Sequence, residues 1–144
     1  MPGVPVPGFV TQPEAMTMTD TSINQTLLSA VDAYFETMFD ADLERFDRLF
    51  APSATLHGLR DGSLRILPAA DYRRLLAATP SPKAKAAPRQ QEILLIDIAS
   101  PEQALVKVRV RIDQTLYVDY LSFHRVSGAW RVTAKSFHIE HRFA

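Results

Sequence analysis

The hydrophobic period of this chain changes partway along it. From Ser22 to Phe50 large apolar residues recur every three or four positions, whereas from Arg89 to the C-terminus they alternate. The first period fits one stripe of a helix and the second one face of a strand. Helices followed by a run of strands is the α+β pattern, in which helices cover one face of an antiparallel sheet. With 144 residues there is room for one domain with a real core.

The helical part begins at Ser22, where Ser22-Ile23-Asn24-Gln25 fits a capping box. Ile23, Leu27, Val31, Tyr34 and Met38 follow on one helix face, and Leu28, Phe35 and Phe39 widen the stripe. The helix is expected to end near Asp40. Asp40 and Asp42 can cap a second, short helix carrying Leu43, Phe46, Leu49 and Phe50, which Pro52 stops. Residues 54–60 and 63–67 read as a hairpin around Asp61-Gly62, and Pro68 opens a third helix with the face Tyr72, Leu75 and Leu76. Thr79-Pro80-Ser81-Pro82 ends it, and a surface loop runs to Pro88. Strands are expected at 91–99, 104–112, 116–126 and 130–140. Residues 1–19, with four prolines, two glycines and few charges, read as a disordered or loosely docked extension, leaving 20–144 as the domain.

A two-residue turn at Ser127-Gly128 predicts the faces of the last hairpin. Tyr117, Asp119, Leu121 and Phe123 would share one face with Trp130, Val132, Ala134, Ser136 and His138. Leu116, Val118, Tyr120 and Ser122 would share the other with Lys135, Phe137 and Ile139. Large apolar residues on both faces call for two covers. The helices supply one, and a second copy of the chain is the simplest other, so a homodimer through the outer sheet face is expected. At the far end of the inner face Asp119, Tyr117, Ser136 and His138 would converge beside an apolar hollow, the make-up of a small-molecule pocket.

Composition excludes several classes. The chain has no cysteine, so disulfides, thiolate metal sites and cysteine nucleophiles are out. Formal net charge is zero. All sixteen Lys and Arg lie beyond residue 44, but they are scattered and form no nucleic-acid patch. No stretch reads as a signal peptide or membrane span, and a soluble cytoplasmic protein is the expectation. Metal-ligand, P-loop, dinucleotide and nucleophile-elbow motifs are missing, so neither metal nor cofactor is expected.

Several stretches together carry a family resemblance: Phe50-Ala51-Pro52-Ser53-Ala54-Thr55-Leu56-His57-Gly58, Pro80-Ser81-Pro82, Asp119-Tyr120-Leu121-Ser122, and Gly128-Ala129-Trp130-Arg131-Val132 with Lys135 and Phe137. Over roughly residues 23–140 the chain resembles the nuclear transport factor 2-like (NTF2-like) superfamily. That cone-shaped α+β fold is shared with SnoaL-type polyketide cyclases, scytalone dehydratase and ketosteroid isomerase. More closely it is similar to the "putative lumazine-binding" branch. The resemblance implies N-terminal helices packed on a strongly curved antiparallel sheet, a versatile cone, and no particular reaction. The chain departs from the branch at Thr79, where an arginine usually precedes Pro-Ser-Pro.

Candidate site residues follow. Asp119 is a pocket base or hydrogen-bond acceptor if a two-residue turn at Asp113-Gln114 sets Val108 beside it; a three-residue turn would pair it with Arg109 instead. His138 and His57, the latter resembling a residue common in the branch, could trade protons with it or be satisfied structural histidines. Tyr34, Tyr117, Ser136 and Trp130 are candidate ligand contacts, or plain core for the aromatic ones. Three functions remain open: binding of a small apolar organic molecule, cofactor-independent isomerase, dehydratase or cyclase chemistry on an Asp/His pair, and a dimeric accessory role.

Overall fold

The computed structural model describes residues 20–144. The expected N-terminal extension therefore lies outside the described residues. Helix α1 spans Asp20–Asp40, starting two residues before the anticipated cap at Ser22. Its stripe of Ile23, Leu27, Val31, Tyr34 and Met38 is buried, as is Phe35. Leu28 is exposed, so the buried stripe is narrower on that side than the sequence suggested. Helix α2, Leu43–Leu49, is capped by Asp42, whose carboxylate accepts from the Arg45 amide at 3.1 Å. Phe50 belongs to the next strand, not to this helix.

Strands β1 (Phe50–Arg60) and β2 (Ser63–Pro68) form the first hairpin. Asp61 and Gly62 both have positive φ, 53° and 81°, the backbone of a two-residue hairpin turn. Helix α3, Ala69–Ala78, follows directly. Strands β3 (Gln91–Ser100), β4 (Gln103–Ile112), β5 (Thr115–Val126) and β6 (Ala129–Arg142) complete one six-stranded sheet in the order β2-β1-β6-β5-β4-β3. Every neighbouring pair is antiparallel except β1 and β6, which run parallel. The sheet is curved and open, and the helices fill its concave side. There α1 meets Val106, Val108, Leu121, Phe123 and Val132 in one continuous core.

Two turns decide what faces that core. Asp113-Gln114 is a two-residue turn, with Ile112 opposite Thr115, so Asp119 stands opposite Val108 and not Arg109. Arg109 points outward to Glu92 and Glu140 instead. At Ser127-Gly128 the expected turn forms, with Val126 opposite Ala129. The faces expected from it are correct only as far as Val132. The ladder then slips by one residue: Phe123 pairs with Val132, but Ser122 pairs with Ala134. The extra residue, Thr133, is a β-bulge, and the side chains from Ala134 to Ile139 change face.

This corrects the sequence reading. Lys135, Phe137 and Ile139 join Leu121, Asp119 and Tyr117 on the concave face, while Ala134, Ser136 and His138 turn outward and are exposed. The parallel pairing with β1 agrees, since Leu56 and Gly58 lie beside Lys135 and Phe137. Gly58 is required by that neighbour: a Cβ there would lie 2.4 Å from the Phe137 ring. The ring instead lies over bare backbone at the open end of the hollow.

Candidate functional site

Asp119 is fully buried on β5, and Lys135 on β6 is 4% exposed. An isolated buried charge is strongly disfavoured, so each needs a partner. The Lys135 ammonium lies 3.6 Å from Asp119 Oδ2, and the Tyr34 hydroxyl donates a short hydrogen bond to the same oxygen. Asp119 Oδ1 has no hydrogen-bond partner among the described residues. Lys135 also reaches the Tyr72 hydroxyl at 3.4 Å and stands 5.2 Å and 4.9 Å from the Tyr34 and Tyr72 ring centres. Ring faces carry partial negative charge, so the two tyrosines help to solvate the largely buried cation. The Tyr72 hydroxyl rests against the Met38 sulfur at 3.2 Å.

Four elements supply this network. Tyr34 comes from the middle of α1, Tyr72 from the first half of α3, Asp119 from β5 and Lys135 from β6. Burial, the largest influence on Tyr34, pushes its hydroxyl well above the usual tyrosine value, and the facing Asp119 carboxylate pushes the same way. Burial also raises Tyr72, with Lys135 opposing. For Lys135 burial alone would pull the ammonium down; Asp119 and Tyr72 oppose it, and the balance lies above the ordinary lysine value. At neutral pH both hydroxyls are therefore protonated and Lys135 is a cation.

This network forms the floor of a hollow of about 490 Å³ between α3 and the concave sheet. Tyr72 and Lys135 reach its surface, whereas Tyr34 and Asp119 lie behind them. Leu56, Leu67, Leu75, Leu76, Ile112 and Phe137 form apolar walls, and Thr79 is also on the wall. Tyr117, Arg60, Arg65 and Ile66 complete the lining. Arg60 donates to the Tyr117 hydroxyl at 2.9 Å and stands 5.8 Å from the Phe137 ring centre.

The candidates from sequence thus separate. Asp119, Tyr34 and Tyr117 are gathered on the concave side. His57 and Ser136 are register neighbours on the convex face, and His138 is exposed on that face too, so neither histidine is brought to Asp119. Trp130 is buried near the Ser127-Gly128 turn, where its indole donates to Thr26 Oγ1 at 3.0 Å, away from the hollow. Lys135, Tyr72, Arg60 and Arg65 were missed. A signal for Lys135 was present: between Val132 and Phe137 the apolar positions switch parity, which marks a bulge. Among the described residues no cluster of His, Asp or Glu could hold a metal ion, and no helix is long and apolar enough to cross a membrane.

Helices in the hollow of a bent, open sheet with a polar floor define the NTF2-like class of α+β cone. The chain belongs to the family described as "Putative lumazine-binding", whose sequence pattern matches residues 22–138. It is similar in fold to an NTF2-like protein of unknown function from Silicibacter pomeroyi, at 19% identity and a TM-score of 0.77, covering 85% of this chain and 100% of that one. A second such protein, from Shewanella baltica, has 22% identity and a TM-score of 0.74, covering 87% and 99%. A ketosteroid isomerase-like protein from Erwinia carotovora atroseptica has 11% identity and a TM-score of 0.63, covering 81% and 95%. No curated protein matches.

Two outcomes follow from the buried pair. Asp119→Asn leaves an uncompensated buried ammonium, and Lys135→Met an uncompensated carboxylate, so each should cost about 3–5 kcal/mol. The double variant should cost clearly less than the two together, which a denaturant-unfolding cycle would measure. Tyr34, Tyr72 and Lys135 all bind their protons more tightly in the folded state. The stability they contribute is complete below their unfolded values, about pH 10, and is lost as pH rises through the raised folded values. Unfolding midpoints should hold steady, as far as these groups are concerned, to about pH 9.5 and then fall, with a shallower fall in the double variant.

Proposed function

We propose that this protein binds one small, mostly apolar organic molecule in the hollow between α3 and the sheet. The observation that carries the proposal is the composition of the hollow: apolar walls over a floor with two polar side chains, Lys135 and Tyr72. Its volume of about 490 Å³ is within the range of small-molecule sites. Both floor groups are fixed, Lys135 by Asp119 and Tyr72 by packing and its contact with Met38, so little ordering would accompany binding. In this reading Asp119 and Tyr34 are positioning residues and Tyr117 a wall residue. The family description makes a flat heteroaromatic ring system of the lumazine type a reasonable first probe.

The arrangement favours binding over isomerase or dehydratase chemistry. Proton abstraction needs a base at the substrate, and the lining of the hollow includes neither carboxylate nor imidazole. Asp119 is withdrawn behind Lys135 and occupied by it and by Tyr34.

The second part of the proposal is a homodimer through the convex face. Leu59, Leu64 and Tyr120 are 63%, 58% and 40% exposed there. Apolar side chains on one sheet face are a burden to a monomer and the material of an isologous interface. A self-complementary partner fits the mixed surroundings, because Tyr120 lies beside the Lys107 ammonium at 5.4 Å.

Two measurements test these readings. Native mass spectrometry and titration calorimetry with a heteroaromatic panel should find a one-to-one complex that is lost in Leu76→Trp, which fills the hollow. Binding that survives this substitution would remove the pocket reading. Sedimentation should give twice the chain mass for the unaltered protein and the chain mass for Leu59→Glu/Tyr120→Glu. A chain mass for both would remove the dimer.

A further inference from the structure

The ionic balance of the hollow is lopsided. Three cations line it, Arg60, Arg65 and Lys135, and the lining contains no acid. Lys135 is neutralised from behind by Asp119. Among the described residues no carboxylate forms an ion pair with Arg60 or Arg65; Arg60 is engaged only by the Tyr117 hydroxyl and the Phe137 ring. Other arginines of the domain do find acids: Arg45, Arg73, Arg74, Arg89, Arg109 and Arg142 each form an ion pair. Arg60 and Arg65 are the two arginines that border the hollow.

Their placement follows from the hairpin. Arg65 stands opposite Gly58, and Arg60 lies two residues beyond Gly58 on the same strand, so the two share the concave side of adjacent strands. Gly58 has no side chain to intervene, and the Phe137 ring occupies the space above it. The arrangement is an aromatic surface flanked by two guanidinium groups, farther along the concave strands than the Lys135 floor. Guanidinium groups recognise planar oxyanions through paired N–H donors, and they are weakly enough hydrated to do so beside an apolar wall.

We infer that the ligand is an organic anion, with a carboxylate or sulfonate held by Arg60 and Arg65 and an apolar ring body against Phe137, Leu75 and Leu76. The floor takes an uncharged acceptor of the same molecule, because Lys135 already has its counter-charge. This inference rests on the pocket reading above and adds the charge of the ligand to it. A cationic ligand without an anionic group would set a positive charge against two unneutralised arginines and is rejected.

A matched pair of fluorescent probes tests it on the full chain. 1-Anilinonaphthalene-8-sulfonate and N-phenyl-1-naphthylamine share one ring body, and only the first has a charge. Both should brighten with the folded protein, and both signals should be lost in Leu76→Trp. The sulfonate should bind about tenfold tighter than the neutral amine at low salt. That preference should shrink as salt is added. It should vanish in Arg60→Gln/Arg65→Gln, in which the two probes should bind with about equal affinity. The conservative Arg60→Lys/Arg65→Lys should retain part of it. Equal affinities in the unaltered protein, or a preference that survives the double glutamine variant, would overturn the anion inference and leave the pocket standing. Failure of both probes to bind, or binding that persists in Leu76→Trp, would overturn the pocket reading and this inference with it.

Discussion

A carboxylate and an ammonium, both buried, face each other at the centre of this domain. Neither is tolerable there alone, and the elements around them are arranged so that each has company. Asp119 receives the Tyr34 hydroxyl from α1 and the Lys135 ammonium from β6, and Lys135 is flanked by the rings of Tyr34 and Tyr72. The pair therefore ties α1 and α3 to the middle of the sheet. It also leaves Lys135 and Tyr72 at the surface of a hollow that is otherwise walled by leucine, isoleucine and phenylalanine. A buried ion pair of this kind adds little net stability over an apolar replacement, but it does penalise any packing that separates its members.

One extra residue in one strand makes the pair possible. Without the bulge at Thr133, Lys135 would point to the convex face and Ser136 and His138 would line the hollow. With it, the strand carries Trp130 and Val132 into the core near the turn, and Lys135, Phe137 and Ile139 to the same side farther along. Two hydrophobic runs of opposite parity are thus joined on one face. The bare backbone of Gly58 on β1 then receives the Phe137 ring, which sets the open end of the hollow.

Much of this architecture is legible in the sequence. The switch from helical to alternating period locates the helices and the strands. Asp61-Gly62 and Ser127-Gly128 specify hairpin turns, and Asp42 specifies a helix cap. The buried stripe of α1 can be read from its spacing, apart from Leu28, which turns out to face water. The candidate site was legible only in part. Asp119, Tyr34 and Tyr117 do lie on the concave side. His57, Ser136 and His138 do not, because alternation counts positions and a bulge resets the count. Arg60 and Arg65 look like ordinary hairpin charges until the curvature of the sheet turns their strand ends toward α3.

The sequence alone determined the class of fold, the order of its elements, the turns and the family, because these depend on local periodicity, on turn residues with positive φ and on short motifs. Only the tertiary structure decided that Asp119 is paired with Lys135 and not Arg109, that the histidines face outward, and that two arginines without acidic partners border an apolar hollow. Those outcomes depend on strand register and on the approach of residues distant in sequence, such as Tyr34 and Asp119. Register is a property of pairs of strands, and no single strand's pattern fixes it.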